Sequence, residues 1–434
     1  MTHIQNFDTL ENLLHSHSTN KIIPGLERIA RLLERLGNPQ DSFKAIHIVG
    51  TNGKGSTGAF ISSVLKASGY NTAFYSSPHL ESPGERLLVN GQALSPEEWI
   101  HAVNEAVSVI RENEDLPSYF ELLTAGAFCL MRNMNIDVGV VEAGLGGKLD
   151  ATNTMHNVIC SVIASISIDH TEYLGPTLES IAGEKFAVVR KDTPACFSGN
   201  PESLVPMFRK VCSENGALPF VVSEGAVIRN AHVSPEGNTL DFSANGLVID
   251  EVRTKLTGAY QIKNAALAMS ALSLIRNVLP NITEDSVRQG MKSAVWPGRL
   301  EVVSSEPYIV LDGGHNFDGV ANLCKSVREL WASESIGIVY AAMKDKDYSG
   351  CFGLLSNELH PNLYVTTVPE MSRAAKPDEL LTSAKALTWK NTPQGFSLPE
   401  DAVNKAVQDG NSIVIVCGSL YLVGYIRSKI AAGI

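Results

Sequence analysis

Gly50-Thr51-Asn52-Gly53-Lys54-Gly55-Ser56 is the first group of residues whose types and spacing could do chemistry. Glycines let backbone N–H groups close around an anion, and a helix N-terminus adds partial positive charge. Lys54 adds a full charge, and the Ser56 hydroxyl could face a bound Mg²⁺. Such a loop suits a nucleoside triphosphate. Its spacing departs from G-x-x-x-x-G-K-[ST], because position 48 is Ile and Gly55 separates Lys54 from Ser56. The plain alternative is a glycine-rich turn with no ligand. The strand before the loop and the helix after it favour the phosphate reading.

Further reactive side chains fall at strand tips. Asp137-Val138-Gly139-Val140-Val141-Glu142 is an apolar strand that delivers a carboxylate at its end. Ligands of open α/β sheets sit beyond such ends, where a Glu can hold Mg²⁺; the alternative is a solvated Glu. Gly144-Leu145-Gly146-Gly147-Lys148-Leu149-Asp150-Ala151-Thr152-Asn153 follows. Three glycines and Lys148 offer a second place for backbone to approach phosphate or substrate, or else a flexible loop. Ser165-Ile166-Ser167-Ile168-Asp169-His170 closes another strand. His170 could ligate a metal, with a carboxylate fixing its tautomer, or be a satisfied loop histidine. Lys185, in Ile181-Ala182-Gly183-Glu184-Lys185, could clamp charge or lie on the surface. Asp312, in Val310-Leu311-Asp312-Gly313-Gly314-His315-Asn316, could accept ribose hydroxyls or simply form an Asp-Gly turn.

These residues need elements to hold them. Apolar periodicity predicts two amphipathic helices over residues 6–37, the second with Leu26, Ile29, Leu32, Leu33 and Leu36 on one face. A βαβ unit follows: strand 45–49, helix 55–68 and strand 72–76. Helices at 96–113 and 119–134 precede strands at 137–142 and 158–165. Residues 216–257 read as a hairpin-rich excursion within the first domain, and 260–277 as a helix. Val295-Trp296-Pro297-Gly298-Arg299 has linker character. Beyond it, strands at 308–312, 336–341, 363–367 and 412–417 alternate with helices at 318–331, 376–387, 399–408 and 419–430. The expected architecture is α/β throughout. A P-loop-type, mostly parallel sheet domain spans residues 1–295, and a smaller Rossmann-like α/β domain spans 296–434.

Composition narrows the function classes. A length of 434 residues suits two domains. The net charge of −11 argues against general nucleic-acid binding. No apolar run is long enough to span a bilayer, and no signal peptide is visible. Seven scattered cysteines without a C-x-x-C pair suggest reduced thiols and a cytoplasmic setting.

Taken together, the motifs resemble the folylpolyglutamate synthase/dihydrofolate synthase family of the Mur ligase superfamily. The likeness runs through residues 50–56, Ser77-Pro78-His79-Leu80 with Glu85-Arg86, Tyr119-Phe120-Glu121-Leu122-Leu123-Thr124, residues 142–153, Asp169-His170 with Leu174-Gly175, and residues 181–185. It continues with Asn264, Pro297-Gly298-Arg299, residues 312–316, Lys346-Asp347 and Cys417-Gly418-Ser419-Leu420-Tyr421. The resemblance implies an ATP-dependent ligase that joins L-glutamate to dihydropteroate or to the γ-carboxylate of reduced folates through an acyl phosphate. It implies that Thr51, Asn52, Gly53, Lys54, Gly55 and Ser56 hold ATP phosphates, and that Asn264, Arg299, Asp312 and His315 contact ATP in an interdomain cleft. Ser77 and Glu142 would hold one Mg²⁺, and His170 with a carbamylated Lys185 would serve a second near Glu142. Lys54, Glu142, His170 and Lys185 form the implied catalytic set. Ser76, Pro78, His79 and Lys148 would approach the folate substrate, and the second domain would present glutamate. Lys148 stands where the family usually has Arg, Gly314 where it usually has Ala, and Phe186-Ala187 where Ala-Gly is common. Lys is a point charge without the Arg fork, so the exact substrate contacts at Lys148 do not carry over from the family.

A monomer without nucleic-acid or membrane partners is expected. Two other readings are a different Mur-type carboxylate–amine ligase and a non-catalytic nucleotide-binding regulator. A cell-wall ligase would usually carry an additional N-terminal domain before the phosphate loop, which this chain lacks because Gly50 comes so early. The complete implied metal set argues against the regulator.

Overall fold

The computed structural model describes residues 4–9, 25–111, 114–332, 334–369 and 371–432. Of the two helices expected over 6–37, the second is present as Glu27–Arg35, with Ile29, Leu32 and Leu33 buried. Residues 10–24, where most of the first would lie, are outside the described residues.

Two compact units emerge. One comprises Met1–Arg229, Asp241–Val252 and Lys263–Ala294; the other comprises Asn230–Leu240, Arg253–Ile262 and Val295–Ile434. The excursion expected within the first domain is therefore divided between them. Its strands β9 (Val227–Ser234), β10 (Gly237–Ala244) and β11 (Leu247–Thr254) make a three-stranded sheet in the order β11-β10-β9.

The first unit is built on an eight-stranded sheet. Its strands are β1 (Lys44–Val49), β2 (Thr72–Tyr75), β3 (Leu87–Val89), β4 (Gln92–Ala93), β5 (Val138–Glu142), β6 (Val158–Ile163), β7 (Pro194–Phe197) and β8 (Leu218–Val221). The order is β4-β3-β2-β5-β1-β6-β7-β8. From β2 to β8 neighbours run parallel, and β3 and β4 add an antiparallel edge. The central strands are apolar because both faces are covered: β5 is buried at all five positions. One face packs on helices Glu27–Arg35, Pro96–Ser108 and Tyr119–Asn133 through Leu33, Trp99 and Phe128. Elsewhere Phe186, Phe197 and Phe208 pack in tilted and edge-on pairs with centroids 5.3–5.5 Å apart. The chain leaves β1 toward β2 on one side and β6 toward β7 on the other, which puts a topological switch point between β1 and β6.

The helix after β1, Lys54–Ala67, is braced by the helix Glu284–Ser293, which periodicity did not mark. Ser63 Oγ donates to the Gly290 carbonyl at 2.7 Å. Strand Pro194–Phe197 and helices Val205–Asn215 and Tyr348–Leu359 were likewise not expected.

The second unit contains a six-stranded sheet. Its strands are β12 (Glu301–Ser305), β13 (Tyr308–Leu311), β14 (Ile336–Tyr340), β15 (Asn362–Val365), β16 (Gln394–Gly395) and β17 (Ile413–Cys417), in the order β12-β13-β17-β14-β15-β16. All neighbours are parallel except β12 on β13. The two-sheet α/β architecture matches the sequence expectation. All seven cysteines are buried and unpaired.

Candidate active site

The site of the first unit forms where the ends of β1, β5 and β6 converge. Register pairs Ile48 with Glu142 and Val49 with Ile163, so loop and carboxylate leave the sheet together. Gly53 precedes the helix Lys54–Ala67 with φ +89°, and no side chain caps that helix end. The first N–H groups of a helix have no intrahelical acceptor, so this end is suited to an anion. A Cβ on Gly53 would sit 2.4 Å from Asn264 Oδ1, which explains the glycine and puts Asn264 against the loop.

Thr51 and Asn52 turn inward. Thr51 N donates to the Ser165 carbonyl at 2.7 Å, and its hydroxyl bonds the Ser167 backbone at 3.1 Å. Asn52 Nδ2 reaches Ser167 Oγ at 3.4 Å. These side chains tie the Gly50–Ser56 loop to the loop after β6.

Two ammonium groups meet one carbonyl. Lys54 Nζ lies 3.2 Å from the Gly50 oxygen and 3.7 Å from Glu142 Oε1. Lys185 Nζ donates to the same Gly50 oxygen at 2.8 Å. Lys185 is therefore buried rather than a surface charge. Burial, then the nearby Lys54 cation, push its ammonium down to about 7, against the pull of Asp169 and Asp150. Glu142 is buried at the end of β5. His170 is exposed with φ +50°, and its backbone N–H donates to Asp169 Oδ1 at 2.9 Å. Among the described residues no three His, Cys, Asp or Glu side chains gather as a ready-made metal cluster. The surroundings fit a metal–nucleotide complex in another respect: two lysines crowd an anion-directed helix end beside one buried carboxylate.

The residues 144–153 form a held loop. Asp150 is buried and accepts from Leu145 N at 2.8 Å, Thr152 N at 3.0 Å and Thr152 Oγ1 at 2.6 Å. Lys148 N donates to the Glu184 carbonyl at 2.9 Å, joining this loop to the helix that carries Lys185, while the Lys148 side chain is exposed. Sequence reading missed Asp150 as an organiser. Its signal was an Asp two residues before a Thr at a helix start, the pattern of an N-cap.

Ser76 to His79 lie at the end of β2. Ser76 is buried, Ser77 and His79 are half-buried, and Pro78 is exposed. The Glu85 carboxylate accepts from Leu80 N at 2.9 Å and Ser82 N at 2.9 Å, so it shapes the loop. Arg86 Nε donates to His79 Nδ1 at 3.0 Å, and its guanidinium lies 5.7 Å from the Tyr119 ring centre. An accepting Nδ1 leaves the proton on Nε2. Burial and Arg86 hold the His79 imidazolium down at about 4.

In the second unit Asp312 follows β13. Its Oδ2 accepts from Tyr260 OH at 3.0 Å and Leu300 N at 2.9 Å; its Oδ1 accepts from Gly314 N at 2.8 Å. The turn reading of Asp312-Gly313 is thus realised, with added ties to Tyr260 and Leu300 that sequence could not reveal. Arg299 lies beside Gly313: a Cβ there would be 3.0 Å from Arg299 Nη1. His315 Nδ1 donates to the Gly313 carbonyl at 2.9 Å.

Comparison with known proteins identifies the family. The family described as Mur ligase middle domain matches residues 48–272, and Mur ligase, glutamate ligase domain matches 298–420. A Bacillus subtilis dihydrofolate synthase/folylpolyglutamate synthase is 33% identical over 96% of this chain and 97% of its own. The Escherichia coli protein of the same name is 32% identical over 98% of this chain and 94% of its own. A structure of E. coli FolC in complex with DHPP and ADP superposes with a TM-score of 0.87 at 28% identity, covering 100% of this chain and 99% of that one. A Yersinia pestis bifunctional folylpolyglutamate synthase/dihydrofolate synthase, complexed with AMPPNP and Mn ion, gives a TM-score of 0.86 at 28% identity and 99% coverage of each chain. The chain belongs to the dihydrofolate synthase/folylpolyglutamate synthase family of ATP-dependent Mur-type ligases.

Proposed function

We propose that this protein joins L-glutamate to dihydropteroate, to the γ-carboxylate of reduced folates, or to both, using ATP. The observation that carries the reading is the meeting of Lys54 and Lys185 at the Gly50 carbonyl, with Glu142 Oε1 beside Lys54 Nζ, at the switch point. A carboxylate is a poor electrophile, and transfer of the γ-phosphoryl group converts it to an acyl phosphate. Lys54 and the helix N-terminus hold the phosphates in line and balance their charge. Attack by the neutral α-amine of glutamate then expels phosphate and leaves the amide.

Mg²⁺, two ions in this reading, would supply charge neutralisation on the transferring phosphoryl group. Ser77 and Glu142 would hold one, and His170 with a carbamylated Lys185 the other. The carbamate is supported by burial and by a Lys185 pKa of about 7, since only a neutral amine attacks CO₂. Ser76, Pro78, His79 and Lys148 face the folate substrate in this reading. On the second unit Arg299 and His315 contact nucleotide, and Asp312 acts by fixing the backbone beside them. Residues 1–295 would form the ATP-binding domain and 296–434 the domain presenting glutamate, in a monomeric cytoplasmic enzyme. No described helix is long and apolar enough to cross a membrane.

The test is ADP release with MgATP and L-glutamate, comparing dihydropteroate with tetrahydrofolate as acceptor. Turnover with both is expected of a bifunctional enzyme, and with one of a single-step enzyme. Turnover with neither, while ATP binds, would point to another acid as substrate.

A further inference from the structure

His47 is a polar side chain in the middle of the apolar strand β1, fully buried between Val141 of β5 and Ser161 of β6. Nothing in the proposed chemistry uses it. Its Nε2 lies 2.8 Å from Thr152 Oγ1, and Nδ1 has no hydrogen-bond partner. The Thr152 hydroxyl has one hydrogen, which it gives to Asp150 Oδ1 at 2.6 Å. It can only accept from His47, so the imidazole carries its proton on Nε2 and Nδ1 is bare. A bare, buried, unpartnered Nδ1 is a cost that core packing alone does not require.

The chain of bonds ends at the site. Asp150 fixes Leu145 N at 2.8 Å, which sets the glycine loop. That loop is sewn to the next helix: a Cβ on Gly147 would sit 2.8 Å from the Glu184 carbonyl and 3.3 Å from Lys185 Cα. We propose that His47 is a positioning residue. From inside the sheet its Nε2–H turns the Thr152 hydroxyl onto Asp150, and Asp150 holds the loop that fastens Lys148 to the helix carrying Lys185. The inference rests on the reading that this loop borders the folate-class substrate.

Gln carries an amide N–H near the position of Nε2, whereas Leu fills the space without a donor. His47→Leu should raise the KM for the acceptor about tenfold, the worth of one orienting hydrogen bond, with the KM for MgATP within about twofold of wild type. His47→Gln should restore the acceptor KM. Thr152→Val should reproduce the His47→Leu effect, and the double variant should be no worse than Thr152→Val alone. Equal acceptor KM values for Leu and Gln variants, or additive effects in the double variant, would overturn the inference while wild-type turnover leaves the functional reading standing. Wild type without turnover on either acceptor would overturn that reading first. Should the variants fail to fold, nitrogen NMR of wild-type histidines decides. A neutral His47 with its proton on Nε2 at pH 6 supports the chain; an Nδ1–H tautomer or an imidazolium removes it.

Discussion

Lys54 and Lys185 both direct an ammonium at the Gly50 carbonyl, at 3.2 and 2.8 Å, yet the site treats them differently. Lys54 has Glu142 Oε1 at 3.7 Å as a counter-charge. Lys185 is buried and loses proton affinity to burial and to Lys54. With a pKa of about 7, about half its amine is neutral at neutral pH. Lys54→Ala should lower acceptor-dependent ADP release on the order of 100-fold or more, with an unchanged circular dichroism spectrum. Lys185→Ala should lose activity to a similar degree, and short carboxylic acids should return part of it by standing in for the carbamate. Stripping CO₂ and bicarbonate from the wild type should lower activity reversibly; full activity under those conditions would remove the carbamate. At this scale the Gly50–Ser56 loop and Glu142 were legible because each directly follows or ends a short apolar strand in the sequence, the glycines and Lys54 after β1 and the carboxylate at the tip of β5. The burial of Lys185 was not, because Gly50 and Lys185 are brought together by the tertiary fold alone.

Helix Lys54–Ala67 starts at the phosphate loop, so its placement decides where Lys54 and Ser56 stand. Its brace is the helix Glu284–Ser293, and the two meet at Gly290. A Cβ there would fall 2.3 Å from Val64 Cα and 2.6 Å from Val64 N. Those are backbone atoms and cannot swing aside as a flexible side chain would. Gly290→Ala should therefore separate the helices, lower stability by about 1–3 kcal/mol, and raise the KM for MgATP more than that for the acceptor. Thermal unfolding and initial-rate kinetics together check this; an unchanged Tm would show that the helices accommodate a methyl group. The brace also shows where sequence reading stops. Helix Glu284–Ser293 buries only Ser286, Val287, Gly290 and Met291, so its apolar stripe is too thin to stand out. The central strands were visible because each is a short apolar run covered on both faces.

The chain as a whole reads as two α/β sheets, and that alternation of strand and helix was plain in the sequence. The division of residues 227–262 between units was not, because the alternating pattern of β10 specifies a half-buried strand but not the unit it joins. Charge carries the remaining consequence. Burial, then Arg190, hold the His47 imidazolium down at about 3, against an ordinary value of 6.5. The folded chain thus binds fewer protons there than the unfolded chain at any pH between these values. Stability from a neutral His47 is complete above pH 6.5 and is lost as pH falls toward 3. His79, held down at about 4, pulls the same way. Asp150 and Asp312, whose carboxyls burial pushes up, pull the other way. A comparison with His47→Gln, which keeps the N–H and removes the titration, isolates one histidine. Between pH 7 and pH 5 a single histidine of this kind costs about 2 kcal/mol, at 1.4 kcal/mol per unit once below its unfolded pKa. In urea unfolding the loss over that interval should be about 2 kcal/mol smaller for His47→Gln than for wild type. Equal losses would mean that His47 takes up its proton in the folded chain as readily as in the unfolded one. It would then be a group reached by water and not a neutral donor locked beneath the loop.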